Sequence, residues 1–331
     1  MAAISFAGER HALAAGETVL ECLERTDHEI PFSCRNGTCL TCMMRLRTGT
    51  LPEASQAGLR EGQKQQGYFL PCVCRPNVDL EIEAPADAEL FGRAMVSEVT
   101  QLTLSVCRLR LRTATPLFYH AGQFINLRRG DGLVRSYSLA SVPRFDDALE
   151  LHVKRLAGGR MSNWICHELA VGEPLDIQGP NGDCYYIGGE PDRPLLLIGN
   201  GSGLAPLYGI LRDALADGHK GPIHLYHGSR TAMGLYYGDE LQALAKANKN
   251  FQYVACLSGD EGGAVPGARA GRAETVALAE HRDLSGWRVY LCGYPPMVQT
   301  AKKLAFLAGA ALQDILTDAF ELRDLRRLRR D

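Results

Sequence analysis

Four cysteines constrain this chain more than any other feature. Cys34, Cys39, Cys42 and Cys72 form C-x4-C-x2-C-x29-C, three of them in one tight loop and the fourth from a distant segment. That is the plant-type ligation spacing of a [2Fe–2S] cluster, because four thiolates must converge on two irons. Gly37 within the loop can take a positive φ at no steric cost, so the loop's N–H groups can point at the sulfides. A zinc site of the C-x2-C kind is the alternative. Such knuckles usually come as matched pairs, whereas Cys72 and Cys74 have a single residue between them.

A chain of 331 residues is long enough for two or three domains, each with its own core. With 46% hydrophobic and 22% charged residues and a net charge of −2, it has no global pull toward nucleic acid or an anionic membrane. No stretch approaches the roughly 18 apolar residues of a membrane-spanning helix. The start, Met1 to Phe6, lacks a basic region and a long apolar run, so a cytoplasmic protein is expected. Eleven cysteines fit that expectation, since four go to iron and seven are scattered without the spacing of a secreted disulfide framework.

Three patterns follow one another along the chain. Within Gly16–Arg25, Val19, Leu20 and Leu23 recur at helical spacing and Cys22 falls on the same apolar face. Ala84–Gly92, rich in Pro, Ala and acids, reads as a linker. From Arg93 the period is two. Leu109 and Leu111 alternate with Arg108, Arg110 and Arg112, and Leu149, Leu151 and Val153 with Glu150, His152 and Lys154, as in antiparallel strands with one buried and one solvated face. After Gly188–Pro194 come short apolar runs at 195–198, 223–226, 252–257 and 288–291, separated by helical stretches near 204–216, 239–247 and 296–307. That is a doubly wound α/β domain, which binds ligands beyond the carboxyl ends of its strands.

Four short motifs punctuate these regions. Arg135-Ser136-Tyr137-Ser138 offers a cation, an aromatic plane and a hydroxyl from one strand, which suits a pyrophosphate joined to a flat ring. Gly159-Arg160-Met161-Ser162 stands at an expected helix start, with Ser162 able to cap it and the free N–H groups able to hold phosphate. Gly199-Asn200-Gly201-Ser202-Gly203 ends the first apolar run of the α/β region, and Cys292-Gly293-Tyr294-Pro295-Pro296-Met297 ends the last. The glycine loop lets backbone approach a pyrophosphate, although it is not the G-x-G-x-x-G fingerprint.

With Pro31-Phe32-Ser33 before the cysteine loop and Leu70-Pro71 before Cys72, the first 85 or so residues resemble a plant-type ferredoxin. Leu40 departs from the small residue usual there. The remaining motifs, in this order, with Gly122-Gln123-Phe124 and Gly179-Pro180-Asn181-Gly182 around the first two, resemble the ferredoxin–NADP reductase superfamily. As a whole the chain resembles the single-chain reductases of multicomponent bacterial oxygenases. The resemblance implies a ubiquitin-like ferredoxin domain (1–85), a linker (86–92), an antiparallel six-stranded flavin-binding β-barrel (93–190), a doubly wound parallel-sheet nicotinamide domain (191–320) and a basic extension (321–331).

It also implies residue roles. Cys34, Cys39, Cys42 and Cys72 would hold the cluster, Arg135 the flavin pyrophosphate and Tyr137 the flavin ring, with Ser138 near its reactive nitrogen. Gly159, Arg160, Met161 and Ser162 would close on the phosphates. Gly199, Gly201, Ser202 and Gly203 would receive the nicotinamide dinucleotide, Cys292 and Gly293 would stand near its ring, and Arg230 of His227-Gly228-Ser229-Arg230 near its adenosine ribose. FAD is expected over FMN, because family members with an N-terminal ferredoxin usually carry FAD. NADH is expected over NADPH, for want of a cluster of cations suited to a 2′-phosphate.

Electrons would pass from NADH through FAD to the [2Fe–2S] cluster, with no catalytic acid, base or nucleophile and no role for the nine histidines. The acceptor would be an oxygenase component or a separate ferredoxin, a Rieske-type aromatic dioxygenase being the first candidate. A di-iron monooxygenase, a cytochrome P450 or a deoxysugar dehydrase fits the same architecture. A redox sensor without turnover is the reading of a different class. A monomer is the simplest expectation for a protein that must expose its cluster.

Overall fold

The computed structural model describes residues 2–86, 90–259 and 265–320. The basic extension therefore lies outside the described residues, as does part of the expected linker. Three sheets follow one another along the chain.

The first has the order β2-β1-β5-β3-β4, from β1 (Ala3–Phe6), β2 (Glu9–Ala12), β3 (Met44–Thr48), β4 (Tyr68–Phe69) and β5 (Leu80–Glu83). Helix α1 (Val19–Arg25) packs Val19, Cys22 and Leu23 into this sheet's core, as the spacing predicts. Its start is fixed by a capping box: Thr18 accepts from the Glu21 N–H at 3.2 Å, and Glu21 accepts from the Thr18 N–H at 2.8 Å. A short helix, α2 (Glu61–Gln65), lies between β3 and β4.

The second sheet is antiparallel, with the order β10-β7-β6-β11-β8-β9. Its strands are β6 (Gly92–Thr103), β7 (Val106–Thr113), β8 (Phe124–Arg128), β9 (Val134–Ser138), β10 (Leu149–Lys154) and β11 (Pro174–Asn181). A bridge between Leu139 and Leu151 joins the two edges and closes a barrel. Leu109, Leu111, Leu149, Leu151 and Val153 fill its core together with Met161 and Ile165 of α3 (Arg160–His167).

The opposite face of β7 and β10 differs from the solvated row expected of it. Arg108 pairs with Glu98 at 2.5 Å, and Arg110 and Arg112 reach Asp147 at 3.2 and 2.8 Å. His152 is buried, bonded to Glu150 at 3.0 Å and to the Tyr236 hydroxyl at 3.1 Å. The third domain covers the Arg108, Glu150 and His152 part of this face through Tyr236 and Tyr237, while Arg112 and Lys154 stay exposed as expected. Period-two alternation cannot distinguish water from a neighbouring domain. A second departure is a disulfide between Cys107 on β7 and Cys166 on α3, with Cα atoms 5.9 Å apart. The two are 59 residues apart in sequence, so only the packing of α3 on the barrel reveals them as partners.

The third sheet is fully parallel, ordered β15-β14-β13-β12-β16-β17. Four strands match the expected apolar runs: β12 (Leu195–Asn200), β13 (Ile223–Ser229), β14 (Phe251–Leu257) and β16 (Arg288–Gly293). The edges β15 (Arg269–Ala270) and β17 (Ile315–Ala319) are additions. Helices α4 (Leu204–Ala216), α5 (Gly238–Ala247) and α7 (Pro295–Leu307) fall where helical spacing places them, while α6 (Ala273–Glu280) was not anticipated. Leu195 and Leu197 face a core shared with α4 and α5, and Leu196 and Ile198 one shared with α6 and α7. Both faces of the sheet are thus covered, which is why its strands read as unbroken apolar runs.

Leu197 is fully buried in that double-faced sheet. Leu197→Ala is expected to cost about 2–5 kcal/mol, measured as a lower denaturant midpoint at an unchanged slope.

Candidate functional site

The three modules open onto one cleft of roughly 2770 Å³. A single small-molecule pocket is about 300–1,000 Å³, so this volume suits more than one large ligand. Its walls include the cysteine loop at Cys34 and Cys39, the barrel residues Arg135–Ser138 and Gly159–Ser162, and Gly201, Ser202, Arg230 and Tyr294 of the parallel domain.

All four motif cysteines are buried. The N–H groups of Cys39 and Asn36 point at Cys34 Sγ at 3.3 and 3.5 Å, and that of Cys34 at Cys39 Sγ at 3.4 Å. The Cys39 thiol, helped by Thr38 and these amides, pulls the Cys34 pKa down to about 4, and the Cys42 thiol lowers that of Cys72. A sulfur set surrounded by N–H donors fits a negatively charged iron–sulfur group. Leu40 sits in this loop at φ 58°, a left-handed conformation unusual for a residue with a Cβ.

On β9, half-buried Arg135 donates to the Val134 carbonyl at 2.7 Å, and desolvation lowers its pKa. The half-buried Tyr137 phenol is held neutral by desolvation. Gly159 is the N-terminal cap of α3, and a Cβ there would stand 2.6 Å from Ser162 Oγ. Ser162 is not the cap. Its hydroxyl turns back to accept from the Leu156 N–H at 3.1 Å and so holds the turn before the helix. Arg160 pairs with Asp131 at 2.7 Å, and Met161 is buried in the barrel core. The buried Asn181 Nδ2, in the same cleft wall, has no partner among the described residues, a donor fit for a flavin acceptor.

The parallel sheet reverses winding between β12 and β16, and a ligand site is expected at that switch point. There the two motif loops interlock. A Cβ on Gly203 would lie 2.3 Å from the Cys292 carbonyl oxygen, and one on Gly293, at φ 124°, would lie 2.3 Å from Asn200 Oδ1. Asn200 Oδ1 accepts from the Tyr294 N–H at 2.9 Å, tying first loop to last. Gly199, the penultimate residue of β12, lies inside this packing, and Ser202 is buried. Cys292 Sγ is buried 3.7 Å from Cys184 Sγ, and desolvation, then Cys184, raises its pKa. Cys42, Cys72, Gly199, Gly203, Cys292 and Gly293 stand behind the cleft wall and shape it, while the other motif residues line it directly.

Several residues at the site escaped the sequence reading. Asp318 on β17 accepts from the Ser138 hydroxyl at 2.5 Å across 180 residues, and burial pushes its pKa up to about 6. Lys154 Nζ lies 3.3 Å from where a Cβ on Gly201 would be, a cation beside the glycine loop. Arg272 and buried Glu274 line the same cleft as Arg230. Cys184 completes the set. No local pattern marks any of these, because each gains its place through a contact between distant segments. Asn200 stands within the glycine loop already read from the sequence, where its tie to Tyr294 does not show.

Residues 6–77 match the 2Fe-2S iron-sulfur cluster binding domain family, 93–186 the oxidoreductase FAD-binding domain family and 197–303 the oxidoreductase NAD-binding domain family. The chain is 34% identical over 314 residues to the ferredoxin–NAD(P)+ reductase component of naphthalene 1,2-dioxygenase/salicylate 5-hydroxylase systems from Ralstonia sp., covering 92% of this chain and 94% of that one. It is 36% identical to an aromatic O-demethylase reductase subunit from Amycolatopsis sp., covering 91% and 93%. Among solved structures, an Amycolatopsis cytochrome P450 reductase superposes with a TM-score of 0.69 at 33% identity, covering 97% and 99% of the two chains. A ferredoxin reductase of carbazole 1,9a-dioxygenase gives 0.66 at 26%, covering 96% and 98%.

Gly203→Ala must push Cys292 away. Displacing a binding loop by such an amount costs about 100-fold in rate, expected in the NADH-dependent bleaching of flavin absorbance while FAD content is unchanged. Asp318 gives a second expectation. The native state keeps a proton that the unfolded chain releases between pH 3.8 and about 6, so this group's contribution to stability falls as pH rises through that window. Asp318→Asn removes the dependence: its gain in melting temperature over the parent should be larger at about pH 8 than at about pH 5, and equal gains at both would contradict the assignment.

Proposed function

We propose residue roles and an acceptor for this chain from the premise that it belongs to the family of ferredoxin–NAD(P)+ reductase components of oxygenase systems. It is an oxidoreductase that passes electrons from NADH by way of FAD to a [2Fe–2S] cluster and on to an oxygenase component or ferredoxin. Bound flavin supplies the conversion between two-electron hydride chemistry and one-electron transfer, which neither a nicotinamide nor a [2Fe–2S] centre can make alone. The observation that carries the reading is the single cleft onto which all three modules open.

In this reading Cys34, Cys39, Cys42 and Cys72 hold the cluster. Arg135, Tyr137, Ser138 and Gly159–Ser162 hold the flavin, and Asn181 adds a donor. Gly199–Gly203, Cys292 and Gly293 receive the nicotinamide end, with Lys154 toward the pyrophosphate and Arg230 toward the adenosine. NADH is the donor: Glu274, buried at the Arg230 end of the cleft, opposes a 2′-phosphate. The domain limits are 1–85, 93–190 and 191–320. The acceptor is the terminal oxygenase of an aromatic-ring hydroxylating system, with a Rieske-type dioxygenase first; relatives serve naphthalene 1,2-dioxygenase and toluate 1,2-dioxygenase systems. The protein works as a cytoplasmic monomer without a membrane or nucleic acid as partner.

Anaerobic titration of purified holoprotein with NADH tests this. Flavin and cluster absorbance should both bleach, and NADPH should act more weakly. In Cys72→Ser, which loses one of the cluster's four ligands, cytochrome c reduction should fall by about two orders of magnitude or more, while ferricyanide reduction from the flavin persists. Flavin bleaching in iron-replete parent protein without any cluster signal would overturn the ligand assignment.

A further inference from the structure

One buried side chain joins the cysteine loop to the flavin barrel. Asn126 lies on β8 and is fully buried. Its cross-strand neighbours are Ser136 on β9, within the Arg135–Ser138 motif, and Gln178 on β11. Asn126 Oδ1 accepts from the Ser136 hydroxyl at 2.7 Å. Its Nδ2 donates to Gln178 Oε1 at 2.7 Å and to the main-chain carbonyl of Cys39, 87 residues away, also at 2.7 Å. Both amide protons are thus used, and the row Ser136, Asn126, Gln178 spans three strands before ending on a cluster-ligand residue.

The place it grips is informative. The Cys39 carbonyl precedes Leu40, whose positive φ is costly for a residue with a Cβ. Such a conformation persists only where its surroundings over-determine it. The carbonyl held by Asn126 belongs to the peptide that leads into this strained residue. A second tie across the same seam runs from the Arg60 guanidinium to the Pro180 carbonyl, but Arg60 is exposed and Asn126 is not. A hydrogen bond shielded from water holds its geometry more firmly than one on the rim, and leaving either partner unpaired there is costly.

We propose that Asn126 is the positioning residue for the flavin-to-cluster electron step: it fixes the Cys39 loop against the flavin-holding strand and takes no part in hydride transfer. This rests on the reading above. In the step concerned, NADH gives up a hydride and becomes NAD+, and the two electrons so received leave singly. Taken over the whole reaction, NADH would give NAD+, one proton to solvent and two electrons. A [2Fe–2S] cluster held by Cys34, Cys39, Cys42 and Cys72 would carry these one at a time, each as one Fe(III)/Fe(II) change reversed by the acceptor. Asn126 touches only the segment across which single electrons move.

Asn126→Leu removes all three bonds. Asn126→Asp keeps size and the acceptor for Ser136 but has at most one proton to donate, so it cannot hold Gln178 and Cys39 together as the amide does. In anaerobic stopped-flow with NADH, both variants should bleach flavin within about twofold of the parent rate and bleach the cluster at least about tenfold more slowly, a one-ångström misplacement being worth up to 100-fold. The ratio of cytochrome c to ferricyanide reduction should fall in step. Hydrogen–deuterium exchange of holoprotein supplies a readout independent of turnover: protection should drop in 36–43 and 124–128 and be unchanged in the parallel domain. Should Asn126→Leu lose its cofactors, Asn126→Asp carries the test. An unaltered cluster phase with unaltered protection in a cofactor-replete variant overturns the proposal, as does an equal slowing of both phases. Absence of any cluster phase in the parent protein would instead overturn the functional reading on which it rests.

Discussion

Backbone lies directly against backbone at the seam between barrel and parallel domain, and the site depends on that closeness. A Cβ on Gly209 of α4 would stand 3.1 Å from the Leu139 and Ala140 carbonyls that follow β9, and one on Gly122 would stand 2.8 Å from the Ile210 side chain of α4. Close packing of this kind transmits small displacements without absorbing them. The strand that carries Ser138 and the strand that carries Asp318 are consequently held in register across 180 residues, closely enough for a 2.5 Å hydrogen bond. Where Gly203 meets the Cys292 carbonyl the same device brings two loops of the parallel sheet together. Three domains with separate cores thus share one cleft.

How much of this was legible depends on whether the signal is local. Four cysteines at fixed spacing name their own chemistry, and Leu195–Ile198 names a strand buried on both faces. Both were readable because spacing and periodicity are properties of neighbours in sequence. The order of three motif sets made the architecture legible as well. The roles of Asp318 and Asn126 were invisible for the complementary reason, since a single polar residue in a strand has no period, and Cys184 stands in the loop after β11 with no pattern around it. His152 shows how a sound local rule misleads: its face alternates as a solvated strand should, yet Tyr236 and Tyr237 of the third domain cover it. Ser162 is a milder case, a good capping residue whose hydroxyl the turn at Leu156 claims first.

Charge is managed differently at the two ends of the electron path. Around Arg135, Arg160 and Arg230 the barrel and the parallel domain present cations to the cleft, where in the proposed reading dinucleotide pyrophosphates would carry the compensating charge. Arg160 is held by Asp131. Near the cysteine loop the donors to sulfur are main-chain amides instead, and Arg35 is paired with Glu24 at 2.5 Å. Amides stabilise a buried anion without adding a mobile counter-ion to its surroundings, so the cluster's charge can change by one electron with little rearrangement.

The cysteines make the same contrast within one residue type. Within the motif the thiols fall into two pairs, in which Cys34 and Cys72 are drawn toward the thiolate by a neighbouring thiol and N–H groups while Cys39 and Cys42 are pushed toward the neutral thiol by the same partners and by burial. Cys292 sits where burial and the Cys184 sulfur favour the neutral thiol. A thiol so disfavoured from ionising is neither a nucleophile nor a base. In the proposed role at the nicotinamide end, Cys292 would therefore offer shape: a small polarisable side chain on a loop that Gly203 and Gly293 allow to pack closely. That agrees with a reaction in which hydride passes directly between two rings and the protein's part is to hold them, and it is why none of the residues gathered at this end needs to act as an acid or a base on the substrate.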